Sequence, residues 1–538
     1  MSAYDYIVVG GGTAGCVVAA RLSESGRHRV LLLEAGGEDD RFFVRMPIGY
    51  GKCFYDPGVN WMYRSEPEPS LRGRAGYWPR GRILGGSGSI NAMVYIRGLP
   101  QDYDDWAALG NRGWAWRDVL PFFKKLESSA FGASDLRGGG GPIETTNIHR
   151  DAHPLCGAFI AAAHEIGIPQ SGDFNGASPE GVGYYEIAVH DGRRVSSATA
   201  YLRPARRRGN LTVVTGALVT SIGFDGARAI TVAYRTPGGS NTARAAREIV
   251  MCAGAVNTPQ LLQLSGVGPA QLLQSMGIGV VADLPVGRHL QDHLCIDYLY
   301  RSRVPSLNEV LRPWHGKLRT GLQYLATRRG PLSMSVNQAG GFVRTREGLD
   351  RPNMQLYFSP LSYTRTPPGQ RPLMSPDPFP GFLLSAQPCR PASRGEIAIR
   401  STDPAEPPRI MPHSLDDARD LDDLVEGARF LRRLAAAPSL AGVIESEMQP
   451  GSSVTGDDAI AEDVRKRASS VFHPVSTCRM GTDPRASVVD ARLRVHGLDG
   501  LRVVDASVFP AVTSGNTNTP VLMVAERGAA FVLEDAAA

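Results

Sequence analysis

The sequence predicts an α/β fold: a Rossmann-type dinucleotide-binding domain combined with a discontinuous second domain on an antiparallel sheet flanked by helices. Three observations predict it. A complete strand–helix–strand unit with a glycine fingerprint opens the chain, motifs suited to close backbone approach recur near residues 85, 250 and 505, and residues between 354 and 400 alternate with period two. At 538 residues the chain exceeds one hydrophobic core. Because the motifs are scattered, the first domain is expected to comprise 1–155, 210–300 and 465–538, leaving 156–209 and 301–464 for the second.

In chain order, Tyr6-Ile7-Val8-Val9 is an apolar run that ends in Gly10-x-Gly12-x-x-Gly15. It continues into a helical Cys16–Leu22 and returns through Val30–Leu33 to Glu34. Gly10 permits the tight turn, Gly12 lets backbone approach a pyrophosphate, and Gly15 lets helix and strand pack. The helix N-terminus favours negative charge, and Glu34 is placed for a ribose hydroxyl pair. A tight turn in any parallel α/β protein could carry the glycines alone; strand, helix and acid together require the dinucleotide context, with NAD and FAD both open.

Gly81-Arg82-Ile83-Leu84-Gly85-Gly86-Ser87-Gly88-Ser89-Ile90-Asn91 holds too many small residues for a packed strand or ordinary helix, so its backbone must approach something bulky, as a flavin is. Ile249–Ala253 followed by Gly254–Gly268 reads as strand, turn, helix and glycine C-cap. These two segments, with Phe472-His473-Pro474, Asp505-Ala506-Ser507 and Gly515–Pro520, resemble the glucose-methanol-choline (GMC) oxidoreductase family, whose members bind FAD. The resemblance runs from first strand to last helix. It is closest to the choline dehydrogenase and aliphatic alcohol dehydrogenase branch, through Tyr95-Ile96-Arg97-Gly98 and His473–Gly481.

The resemblance implies the GMC fold and an FAD site. Gly10, Gly12, Thr13, Ala14, Gly15, Glu34 and Ala35 would contribute from the fingerprint unit, and Trp61, Arg82, Gly86, Asn91, Ala92, Met93 and Val94 from around the second segment. Val219, Phe472, Asp505, Ala506, Thr517 and Asn518 would complete it. His473 stands at the family's catalytic base position and Asn516 at the second active-site position, occupied in the family by histidine or asparagine. Histidine suits the base role because its pKa lies near neutrality; an amide can donate to the substrate oxygen without competing for the proton. Asn516 has a second reading as a cap for the helix containing Pro520. His293, in Gln291-Asp292-His293, is read as structural. Where some relatives attach flavin through histidine, this chain has Ile90, which implies noncovalent FAD.

Composition is that of an ordinary globular protein, and a net charge of +5 spread along the chain gives no case for a nucleic-acid surface. The Arg206–Arg208 cluster reads as an exposed turn before the strand Leu211–Val214. Seven scattered cysteines without a Cys-x-x-Cys argue against a disulfide framework or a metal site and fit a reducing compartment. The N-terminus enters a strand directly and no stretch reaches transmembrane length, so a cytoplasmic protein is expected, with room for peripheral membrane contact. Either a monomer or a homodimer is compatible with the sequence.

For the second domain, Met354–Phe358 and Glu396–Arg400 read as half-buried antiparallel strands, with Phe382–Ala386 between them. Ser414 is expected to cap a helix whose Leu421, Leu424, Val425, Ala428 and Leu431 share a face. Residues 360–380, dense in proline, read evenly as an access lid or a surface excursion. The leading activity is FAD-dependent oxidation of a primary alcohol, with electrons passed to a quinone or another organic acceptor. An oxidase that uses dioxygen and a choline dehydrogenase are alternatives; a hydroxynitrile lyase-type activity is more remote. A quaternary ammonium substrate would require a carboxylate or an aromatic cage.

Overall fold

The computed structural model describes residues 3–363 and 375–537. Its first sheet has a parallel core ordered Leu211–Val214, Val30–Leu33, Ala3–Val9, the end of Gly239–Met251, and Leu501–Val503. The start of Gly239–Met251 extends into an antiparallel meander with Arg228–Thr236 and Leu218–Asp225. Tyr6, Ile7 and Val8 are wholly buried, as befits apolar strands covered on both faces. The helix Thr13–Leu22 is apolar around its girth because it packs against the C-terminal helix Asn518–Ala537 as well as the sheet.

The fingerprint glycines are set by backbone contacts. A Cβ on Gly15 would overlap the Gly10 carbonyl, and one on Gly86 would stand 2.7 Å from Gly12 Cα. The second glycine segment, which forms a short 3₁₀ turn at Gly86–Ser89, is therefore small partly because it packs on the first motif. The helix Gly254–Leu264 is capped at Ser265, and Gly266 follows with φ +83°, the left-handed position that favours glycine just past a helix end.

The second sheet is antiparallel throughout, ordered Ala339–Val343, Met354–Ser359, Gly381–Pro388, Leu294–Ser302 and Ile444–Gln449, and Ser469–Ser470 pairs the start of Leu294–Ser302. The 300/301 divide drawn from the sequence falls inside the strand Leu294–Ser302. Three details differ from expectation. Met354–Ser359 is buried on both faces instead of one: Met354, Leu356 and Phe358 pack on the helices Leu155–Glu165 and Ala418–Ala435, while the alternate residues turn towards the other domain. Glu396–Ala398 leaves this sheet and forms a separate ribbon with Arg409–Met411. The long helix starts at Ala418, capped by Asp417 accepting from Arg419 N, while Ser414 N donates to Glu68. Leu424, Val425, Ala428 and Leu431 are buried on its inner face as expected.

All seven cysteines are buried, and among the described residues none forms a disulfide. Arg206 pairs with Glu38 in the turn before Leu211–Val214. Among the described residues no helix is long and apolar enough to cross a membrane. Most of the segment 360–380 lies outside the described residues.

Candidate active site

A cavity of about 880 Å³ lies between the two sheets. The first sheet reaches it with the ends of its parallel strands, where ligands gather in open α/β folds. Gly10, Gly12, Thr13 and Ala14 line it, with Glu34 and Ala35 from the next strand. A Cβ on Gly12 would have no protein atom closer than 3.8 Å, so the space it leaves belongs to the cavity. The Glu34 carboxylate accepts from Gly11 N at 2.8 Å and Gly36 N at 2.7 Å, and burial pushes its pKa up to about 7.

Trp61, Gly86, Asn91, Ala92, Met93, Val94 and Val219 also line the cavity, as do Phe472, Asp505, Ala506, Thr517 and Asn518. Two implied residues do not. Gly15 lies behind the turn, filling a packing role, and Arg82 places its guanidinium 4.7 Å from the centre of the Trp61 ring. Asp505 is spent on the protein: its carboxylate accepts from Gly254 N, Thr258 Oγ1, Ser507 N and Ser507 Oγ, tying the last strand to the helix Gly254–Leu264. Asn518 Oδ1 accepts from Thr13 Oγ1 at 2.9 Å, joining the N-termini of the first and last helices. An adenine dinucleotide fits this donor set: a glycine turn opening on the cavity, a buried acid at the end of the second strand, and helix N-termini facing the same space.

At the other end of the cavity, His473 and Asn516 meet. His473 Nε2 lies 3.2 Å from Asn516 Nδ2, and His473 Nδ1 lies 3.1 Å from His293 Nδ1. His293 Nε2 is 3.0 Å from the Cys389 carbonyl, which can only accept. The chain of donors is therefore fixed when both rings are neutral. His293 donates from Nε2, His473 donates from Nδ1 to the bare His293 Nδ1, and His473 Nε2 is left unprotonated, accepting from the Asn516 amide. Both rings are held neutral: burial, with His293 and Arg80 beside it, pulls His473 well below its ordinary range, and burial pulls His293 down to about 4.

The loop that presents His473 is anchored by Asp292, whose Oδ1 accepts from both His473 N at 2.7 Å and His293 N at 2.9 Å. Its other oxygen accepts from Ser470 Oγ, and burial raises its pKa to about 6. Phe472, in a left-handed conformation at φ +71°, packs edge-on to Phe54 and lines the cavity. Asn516 is not a helix cap; its Oδ1 accepts from Gln355 Nε2 at 3.4 Å. Gln355 in turn accepts from Tyr357 Oη at 2.8 Å and Gln387 Nε2 at 3.2 Å.

Sequence reasoning missed this roof. Gln355, Tyr357 and Gln387 occupy the alternate positions of two strands, and their polarity at period two was the available signal. His293 was recognised as part of a motif, yet its partnership with His473 spans 180 residues.

Two GMC oxidoreductase models match the chain, one over residues 4–295 and one over residues 391–525. The chain is 41% identical to an alcohol dehydrogenase [acceptor] of Pseudomonas putida, covering 98% of this chain and 96% of that protein. It is 40% identical to the mitochondrial choline dehydrogenase of Mus musculus, over 98% and 89% respectively. Among solved structures, pyridoxine 4-oxidase from Mesorbium loti superposes with a TM-score of 0.88 at 33% identity, covering 98% of both chains. With its glycine-lined cavity and His473–Asn516 pair, the chain belongs to the GMC oxidoreductase family. It is an FAD-dependent enzyme that acts on CH–OH donors.

Proposed function

We propose that the protein oxidises an uncharged primary alcohol to the aldehyde, with His473 as base and Asn516 as donor to the substrate oxygen. One observation carries the assignment: the hydrogen-bond chain leaves His473 Nε2 as a bare lone pair beside the Asn516 amide. Bound FAD supplies the acceptor for the carbon-bound hydrogen, leaving with its electron pair. His473 Nε2 takes the hydroxyl proton, and the resulting imidazolium keeps its Nδ1–H on His293. Asn516 Nδ2, released from His473 as the hydroxyl enters, donates to the developing alkoxide. Gln355, held by Tyr357 and Gln387, orients Asn516 by occupying its carbonyl oxygen.

The residues facing FAD would divide the work. Gly12 and Thr13 meet the pyrophosphate, Glu34 the ribose, and Thr517 with Asn518 bring the last helix N-terminus to the flavin end. Ile90, buried against Val44, Cys53 and Val59, offers no nucleophile, so FAD is held without a covalent bond. A quinone or another organic acceptor takes the electrons, a reading supported by the acceptor-named relative.

Anaerobic mixing with a panel of alcohols tests the reaction, read by bleaching of the flavin. His473→Ala is expected to keep FAD and slow reduction by about a hundredfold or more; reduction at the wild-type rate overturns the assignment. Peroxide formed in proportion to turnover would replace the organic acceptor by dioxygen. One observation favours a second reading, choline as substrate: Asp297 puts a carboxylate on the cavity wall, accepting from Ser385 Oγ at 2.7 Å. Choline reducing the flavin faster than every uncharged alcohol, and losing that advantage in Asp297→Asn, would favour it.

A further inference from the structure

The helix Trp314–Thr327 is built inside out. Its inner face is Gly316, Thr320 and Tyr324, spaced four apart and buried. Its large apolar residues point the other way: Trp314 is 76% exposed, Leu318 55%, Leu322 59% and Leu325 56%. At 100° per residue these four fall within one stripe opposite the buried face. Phe42 and Phe43, on the short helix Phe42–Arg45, add apolar surface beside the inner edge of this helix. Both are exposed, and the Phe42 ring lies 6.5 Å from that of Tyr324. An exposed apolar stripe of this kind on a folded chain marks an interaction site.

Charge decides what it meets. Lys317 falls on one flank of the stripe, Arg319 and His315 on the other, with Arg312 before the helix and Arg328 and Arg329 after it. No acidic residue occurs between 310 and 330. Lys52 adds a cation over the Phe43 ring, at 4.0 Å. Of the acidic residues preceding the phenylalanines, Glu38 and Asp39 are paired with Arg206 and Arg203, and the exposed Asp40 is followed directly by the cationic Arg41. A two-fold contact with a second copy would bring this basic face against itself. A helix with Trp and Leu on one face and lysine or arginine on both shoulders matches a surface that is apolar below and anionic at the level of the charges.

We propose that this face docks the enzyme peripherally on an anionic lipid bilayer, with Trp314, Leu318, Leu322, Leu325, Phe42 and Phe43 entering the acyl boundary and the basic flanks meeting phosphate headgroups. The turns on either side of the helix, at Leu311 and Leu332, join a cluster that includes Tyr50, Phe54 and Phe472, which line the cavity. Docking would thus hold the cavity wall near the source of an apolar electron acceptor. That consequence rests on the function proposed above; the docking does not.

The holoenzyme is to be sedimented with vesicles of phosphatidylglycerol and phosphatidylcholine, and with pure phosphatidylcholine, at low and high salt. Binding is expected to the anionic vesicles, weakened by salt. In the doubly substituted Leu318→Ser/Leu322→Ser protein it should fall at least tenfold, as it should in Lys317→Glu/Arg319→Glu. Both variants are expected to keep bound FAD and dye-linked alcohol oxidation. Absence of binding to anionic vesicles, or binding unchanged in both variants, overturns the proposal. So does a dimer in solution that the Leu318→Ser/Leu322→Ser change dissociates while vesicles are not bound. Vesicle binding by a protein that oxidises no alcohol would sink the function and leave the docking standing.

Discussion

His473 and His293 face each other Nδ1 to Nδ1 at 3.1 Å, a contact that one ring must make as donor and the other as acceptor. The Cys389 carbonyl assigns the roles, because it obliges His293 to carry its proton on Nε2. His293 thereby holds the His473 ring in one tautomer. From this contact we propose a positioning role for His293 beside the structural one read in the sequence. His293→Ala is expected to slow flavin reduction by about tenfold or more, a part of what general-base loss costs. His293→Asn, whose side-chain oxygen can accept near the same place, should recover some of the rate. Reduction by His293→Ala at the wild-type rate would show that the tautomer needs no external help.

The same pair sets a pH dependence. Both folded-state pKa values lie below the ordinary value of 6.5, through burial first. The unfolded chain therefore binds more protons than the folded one in the window beneath 6.5, and stability is present above it and lost as pH falls through the folded values. The base also stays unprotonated through that window. Flavin reduction should hold its rate down to pH values clearly below 6.5, measured by anaerobic stopped flow. An acid limb centred at or above 6.5 would contradict the buried neutral pair.

Asn516 gives a sharper test than its sequence position could. Its amide reaches His473, and its oxygen is fixed by Gln355, so both ends of the side chain are committed. Asn516→Ala should lower the reduction rate by about tenfold to a hundredfold, the scale of losing one oriented donor. Asn516→His should retain part of it, and Gln355→Ala should lie between. A fully active alanine variant removes Asn516 from the chemistry.

The motif Tyr95–Gly98 answers to a different constraint. Glu127 is wholly buried and accepts from Arg97, from Arg137 Nε at 2.9 Å and from Tyr95 Oη at 2.7 Å, and Arg137 continues to Glu186 at 2.5 Å. Removing one member leaves buried charge uncompensated. Glu127→Ala is expected to cost about 3–5 kcal/mol in urea unfolding. A loss under about 1 kcal/mol would mean that Arg97 and Arg137 find other acceptors.

What the sequence disclosed was local. The fingerprint unit, the second glycine segment and the helix Gly254–Leu264 are each specified by residues a few positions apart, and each stands where it was expected. Relations between distant segments were not legible. That Gly86 is small because of Gly12, that Asp505 serves Gly254 and Thr258, and that Gln355 steadies Asn516 depends on which surfaces meet. The second sheet shows the limit plainly. Alternation in Met354–Ser359 was visible, but a polar face closing over a cavity has the same pattern as one facing water. The shift of the helix start from Ser414 to Asp417 has a similar origin, since Glu68, hundreds of residues away, takes the Ser414 amide.

The mode of FAD attachment rests on Ile90. It lines the cavity at the point where the second glycine segment turns, is 2% exposed, and is walled in by Val44, Cys53 and Val59. Cys53 is the one nucleophilic residue in that cluster, and burial raises its thiol pKa, which keeps it protonated and unreactive. A hydrocarbon side chain and a neutral thiol provide no bond to an isoalloxazine. The purified protein should be yellow and release its FAD into solution on acid or heat denaturation, with a colourless precipitate. Replacing Ile90 by alanine should weaken retention of FAD by removing packing, without changing that outcome. Chromophore that stays with the denatured polypeptide through gel filtration in denaturant would place a covalent link elsewhere in the cavity and overturn the noncovalent reading.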